Sequence, residues 1–238
     1  MKTAVKENLG FTWSESEIML APHEHGATGA CFEVKKMLAE YVWDITWLED
    51  NPCTFAEVQT VTGGTTIGSH TLEDLNQIIN QKNAILKLVQ MVKDKEFSLT
   101  RAVHQQLHAQ VAKEEALEWG KFRTGAVKIS GTPHQPPAAS ELDDIYETGF
   151  AEIRKIDNVV ERALVTYLFS ALNQFFFDGN KRTGRLMMNG VLMSNGYSYI
   201  SIPGAKKEEF DQKMLNFYNT KDATEMMGFI VDCANLWD

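Results

Sequence analysis

No apolar run in this chain of 238 residues approaches the roughly 18 that a membrane-spanning helix needs, and the opening MKTAVKENLGFTW has no apolar stretch of the kind a secretory leader carries. Both absences predict a cytoplasmic protein without a membrane partner. Cations are in the minority: 23 Lys and Arg stand against 32 Asp and Glu, a formal charge of -9. That balance argues against nucleic-acid binding through a broad basic surface and leaves room only for a local basic pocket. Cysteines number three, Cys31, Cys53 and Cys233, with no CxxC spacing, which excludes a disulfide framework and a zinc site and points to buried thiols. No period of roughly 20 to 50 residues recurs, so repeat architectures are set aside.

What the chain does have is helical spacing. Val34, Met37, Leu38, Tyr41, Val42, Ile45 and Leu48 recur at three- and four-residue intervals and predict one amphipathic helix over residues 32–48. A second, over 72–92, is announced by Thr71 and Asp74 as a capping box. Further helices are predicted over 100–119, 141–153, 158–177, 182–194, 206–217 and 223–236, the 158–177 segment being the most apolar. The exception is KFRTGAVKISGT, residues 121–132, whose alternating Val127 and Ile129 between Gly125 and Gly131 suit a short β-hairpin, followed by the irregular HQPPAAS. The expected class is all-α, with residues 1–50 as a helical extension before a single globular unit over 51–238.

Chemistry concentrates in NQFFFDGNKRTGR, residues 173–185, where a buried helix turns into the next one. Gly179 allows a tight turn, Asn180 is suited to cap the new helix, and free backbone amides are expected at its start. Lys181, Arg182 and Arg185 put three cations where the helix dipole is already positive, an arrangement that is unfavourable until an anion arrives. Asp178, just ahead, can hold a magnesium ion that bridges phosphate oxygens. The competing reading leaves the arginines paired with ordinary acids and Asp178 as a turn former.

The stretch from Gln174 to Arg185 resembles the signature of the Fic/Doc family, H-x-F-x-(D/E)-G-N-(G/K)-R-x-x-R, at every position but the first. The similarity extends to the flap-like KFRTGAVKISGTPHQPP, to RLMMNGVLMSNGYSYISI and to DATEMMGFIVDC, in family order, and covers about residues 50–235. It implies a mostly helical Fic-like fold that binds ATP with magnesium and transfers AMP to a hydroxyl side chain of a target protein. By the resemblance Asp178 holds the metal. Gly179, Asn180, Lys181, Arg182, Gly184 and Arg185 surround the nucleotide, and Asn219 meets the adenine. Val127, Lys128, Ile129 and Ser130 form the flap strand that registers a target segment by edge pairing. A homodimer is a family-level expectation.

Two departures bear on activity. Gln174 stands where the family has its proton-accepting His, and a neutral amide cannot supply general-base help worth roughly 10² to 10⁴ in rate. The position therefore points to a slow enzyme or a pseudoenzyme, or to a binding module without chemistry. Lys181 stands where AMP-transferring members carry glycine; in the Doc-like branch a lysine accompanies phosphoryl transfer. In NPCTFAEVQTVTGG, residues 51–64, Glu57 lies where many relatives carry an inhibitory glutamate, and is expected to pair with Arg185. His104 and His108 at i, i+4 lack a third ligand and are expected on a helix surface or half-buried. His23, His25 and His134 are expected in loops.

Overall fold

The computed structural model describes residues 8–14, 18–68 and 70–235. The helices are α1 (Gly26–Lys36), α2 (Leu38–Trp47), α3 (Phe55–Thr62), α4 (Leu72–Lys93), α5 (Arg101–Val111), α6 (Leu142–Ile153), α7 (Val159–Asn173), α8 (Asn180–Ser194), α9 (Lys207–Thr220) and α10 (Thr224–Ala234). None of the described helices is long and apolar enough to cross a membrane. All three cysteines are buried and unpaired, as expected. Residue 236, the predicted end of the last helix, lies outside the described residues.

Caps written in the sequence set several of these boundaries. Thr71 and Asp74 close a reciprocal box at the start of α4, Thr54 and Glu57 do the same for α3, and the Asn158 side chain accepts from the amides of Val160 and Glu161 to open α7. The predicted helix over 32–48 is two helices instead. Met37 leaves helical geometry at φ -93°, ψ 11°, so α1 buries Ala30, Cys31 and Val34 while α2 turns Tyr41, Val42 and Ile45 inward. The long prediction over 158–177 ends early because Gln174 adopts a left-handed conformation, φ 48°, which drives Phe175 and Phe176 into the core.

The hairpin over 121–132 does not form. Among the described residues the single bridge joins Thr12 and Asp222. Immediately after that segment, Pro133, Pro136 and Pro137 lack the N–H donors with which the chain beyond Gly131 could pair back onto Val127 and Ile129. The segment is an extended flap held by side chains instead. Arg123, 2% exposed, donates to the carbonyls of Gly125 (2.7 Å), Pro137 (2.6 Å) and Gln174 (2.6 Å), tying both flap ends to the end of α7. At the far side Thr132 donates to Asn219, and His134 bridges the Leu172 carbonyl (2.9 Å) and the Lys221 ammonium (2.7 Å).

Two apolar cores meet on α8. Leu186, Met187 and Met193 pack with α1–α5, whereas Met188, Val191 and Leu192 pack with α6, α7, α9 and α10. A helix clothed on all sides is a rigid base for whatever its first turn presents. Gly184 lets α7 and α8 approach closely: a Cβ there would lie 3.1 Å from the Tyr167 ring and 3.3 Å from the Ser170 Cβ.

Candidate functional site

The turn between α7 and α8 opens onto a cavity of about 490 Å³, within the range that holds a small-molecule ligand. Its wall brings together Gln174, Asp178, Gly179, Asn180, Lys181 and Arg182 from the turn, Lys128, Ile129 and Ser130 from the flap, Met214, Leu215 and Tyr218 from α9, and Glu49 from the turn after α2. Val127, Gly184, Arg185 and Asn219 are not on that wall. Gly184 serves the helix crossing described above and Asn219 is exposed, bonded to Thr132 of the flap.

Gly179 is fixed by two constraints at once. Its φ is 70°, and a Cβ there would lie 3.2 Å from Val111 and 3.3 Å from Ala112 of the α5 end. It is also the residue that caps α8; Asn180, expected to cap, is the first helical residue, and its side chain reaches back to accept from the Phe176 amide (2.9 Å) and donate to the Phe176 carbonyl (2.8 Å). The first intrahelical bond runs from Thr183 to Gly179, so the amides of Asn180, Lys181 and Arg182 belong to the unbonded first turn.

Gln174 has no free amide end. Its Nε2 donates to the Ala171 carbonyl (2.7 Å) and its Oε1 accepts from Asn180 Nδ2 (3.0 Å). Asp178 keeps an exposed carboxylate, 3.8 Å from Arg182.

The cations of the first turn are all paired. Arg182 donates to Glu115 at 2.6 Å, and Glu49 takes both Lys181 and Arg185 at 3.3 Å each. Three cations therefore face three carboxylates, counting Asp178. Burial works against the Glu49 charge, but Lys181 and Arg185 outweigh it and hold the carboxyl below its ordinary range. Burial likewise opposes the Arg182 charge, and Glu115, Glu49 and Asp178 together more than restore it. Arg185 still leaves Nε and Nη1 buried without a partner, and the Tyr218 hydroxyl on the cavity wall is also buried and unpaired.

Glu57 is not the partner of Arg185. It caps α3 through Thr54 and bonds His70 at 3.0 Å, interactions that draw its pKa down to about 2, the Thr54 amide contributing most. Glu49 makes the contact with Arg185 instead. Sequence spacing alone did not single out Glu49, because the pairing spans 136 positions and depends on the bend at Met37. Glu115, Arg123 and His108 were missed as site-shaping groups for the same reason. His104 and His108 are fully buried rather than on a surface; His104 packs on Tyr146 and Phe176, and desolvation pushes their pKa values to about 3 and about 4. His134 is half-buried with both ring nitrogens engaged.

Residues 97–192 match the Fic/DOC family. The protein adenylyltransferase Fic of Drosophila grimshawi is 25% identical over 218 residues, covering 88% of this chain and 44% of that protein. Its namesake in Drosophila erecta is 25% identical over 229 residues, covering 93% and 45%. This chain thus spans less than half the length of those curated relatives. Among solved structures, residues 134–508 of Fic-1 from C. elegans superimpose with a TM-score of 0.76 at 18% identity, over 99% of this chain and 68% of that one. A Fic domain containing signaling protein from Bacteroides thetaiotaomicron gives 0.70 at 20% identity, over 89% and 84%.

Proposed function

We propose, from the premise that the chain carries a Fic/DOC family domain, that its cavity binds ATP with magnesium and that transfer of AMP to a hydroxyl of a target protein is weakened or lost. The binding half rests on the first turn of α8, where the unbonded amides and the side chains of Lys181 and Arg182 meet one cavity, with the buried spare nitrogens of Arg185 one turn behind it. Asp178 fits magnesium: this ion takes one or two carboxylates and fills the rest of its octahedron with phosphate oxygens and waters. Among the described residues no cluster of three or more His, Cys, Asp or Glu could hold a metal unaided, so the ion would arrive with the nucleotide. Bound there, it would neutralise part of the phosphate charge.

The half concerning chemistry rests on one observation, the Gln174 amide bonded at both ends. AMP transfer requires the hydroxyl oxygen to attack the α-phosphorus while pyrophosphate leaves, and the hydroxyl proton needs an acceptor. Gln174 is neutral, its carbonyl is engaged by Asn180, and it offers no base. The unpaired flap backbone around Lys128, Ile129 and Ser130 suits an extended target segment. Phosphoryl transfer, the Doc-like alternative tied to Lys181, draws less support because that ammonium sits on Glu49 rather than at the amide cluster.

Glu49 is the group we assign to restraint of the site. It neutralises Lys181 and Arg185, and a nucleotide's outer phosphates must compete with it for them. Calorimetry with ATP and magnesium, combined with ATP labelled at the α- or the γ-phosphate, tests the whole reading. ATP binding with no label on protein is expected for the wild type, and α-label appears in Gln174→His combined with Glu49→Gly. No ATP binding by either protein sinks the reading; γ-label replaces adenylyl by phosphoryl transfer.

A further inference from the structure

His108 lies on α5, outside the signature, and is completely buried beneath the α7–α8 turn. Its ring stacks on Phe176 with centroids 3.7 Å apart and planes 7° from parallel. The Gly120 amide donates to Nδ1 at 3.0 Å, and an amide can only donate, so Nδ1 is the bare nitrogen and Nε2 carries the proton. That proton is given to the Asp178 carbonyl, 2.9 Å away.

The bond fixes a direction. In a trans peptide the C=O and N–H of one unit point opposite ways. With the Asp178 carbonyl drawn down to His108, the Gly179 N–H must point away from it, where it donates to the Asp178 carboxylate at the cavity wall. Glycine at φ 70° has little conformational preference of its own, so without an external grip this peptide could turn over cheaply. The Asp178 carboxylate would then lose its Gly179 amide donor, and a carbonyl would face the phosphates in that amide's place.

We infer that His108 is a positioning residue for the nucleotide site: from outside the signature it sets the orientation of the Asp178–Gly179 peptide, so that the Gly179 amide stays on the cavity side, bonded to the Asp178 carboxylate, and the Asp178 carbonyl is kept away from a bound phosphate. The inference rests on the nucleotide reading above, and its test separates the two. His108→Phe keeps the stacked ring and loses both hydrogen bonds, while His108→Gln returns an amide nitrogen close to the place of Nε2. The two variants and the wild type are titrated with ATP and magnesium, and the Gly179 amide resonance is followed in each unliganded protein by ¹⁵N–¹H correlation spectroscopy.

His108→Phe is expected to weaken ATP binding about tenfold, the effect of one misdirected hydrogen bond, and to move the Gly179 resonance, with His108→Gln recovering most of both. A purely structural role would lower the melting temperature of His108→Phe and leave its Gly179 resonance and ATP affinity at wild-type values; that result overturns the inference. If the wild type itself binds no ATP, the nucleotide reading falls and the Gly179 resonance alone decides, a shift in His108→Phe reversed by His108→Gln upholding the peptide lock and an unmoved resonance overturning it. Should His108→Phe not fold, the imidazole nitrogen spectrum of the wild type decides, because a proton on Nδ1 is incompatible with the lock and a proton on Nε2 is what it demands.

Discussion

Arg182 and Arg185 sit one turn apart on the same helix and are equally withdrawn from solvent, yet the carboxylates that face them are held in different ways. Glu115 meets Arg182 at 2.6 Å, and its other oxygen is braced by Asn80 at 2.8 Å, which also bonds the Lys113 carbonyl. Glu49 meets Arg185 at 3.3 Å, divides itself between that guanidinium and Lys181, and is the more exposed of the two carboxylates, 18% against 8%. Arg182 is therefore part of the scaffold, with a counterion built into the core. Arg185 has a counterion at the end of a turn and two buried nitrogens, Nε and Nη1, without a partner. The same side chain in the same motif thus does two jobs, and the support behind its partner decides which.

The largest effect expected from this contrast is on stability. Glu115→Ala strands a buried guanidinium, and chemical denaturation should report a loss of about 3 to 5 kcal/mol. A loss below about 1 kcal/mol would place Glu115 in the releasable class and erase the contrast. Glu49→Gly is expected to act on binding: ATP affinity with magnesium rises about tenfold or more as Lys181 and Arg185 become available, while the melting temperature moves little. Calorimetry showing weaker binding in that variant would mean that Glu49 supports the site instead of restraining it.

Acidity sharpens the comparison further. The Glu49 carboxyl is depressed in the folded protein, so its pairing is intact above the ordinary carboxylate range and is lost as pH falls through the lowered value. The affinity gap between wild type and Glu49→Gly should stay constant from about pH 5.5 to 8 and close only in stronger acid. A gap that closes near neutrality points to a different titrating group. Lys181→Ala, removing one of the two cations on Glu49, should change ATP affinity by no more than a few-fold, since that ammonium is partly exposed and screened. The smallest effect belongs to Glu57→Gly: loss of the α3 cap lowers the melting temperature slightly, and ATP binding is unchanged.

How far the site could be read in advance varies residue by residue. The 72–92 helix was legible nearly to its last residue because Thr71 and Asp74 are local signals and the apolar period is unbroken. The anion-binding turn was legible because its glycine, amides and cations are contiguous in the chain. The hairpin was misread because alternation at Val127 and Ile129 describes only one arm, whereas a ladder needs donors on both. Glu57 was singled out by its resemblance to an inhibitory motif, and no local pattern records the bend at Met37 that carries Glu49, after the end of α2, to the first turns of α8. His104 and His108, without a third ligand nearby, read as surface or half-buried groups; packing against aromatic rings and, for His108, two backbone partners make full burial of the neutral form tolerable.

Short-range order therefore came from the chain itself: which segments coil, where caps stop them, where a glycine must be, and that three cations crowd one helix start. Those properties depend on neighbours within about four residues, and the energies that select them act over the same distance. Which acid neutralises which arginine, what holds the flap in place of a partner strand, and which way the Asp178 carbonyl faces were settled by packing alone. Each depends on groups up to 136 positions apart meeting within hydrogen-bonding or ion-pairing distance, and only the assembled core sets such distances.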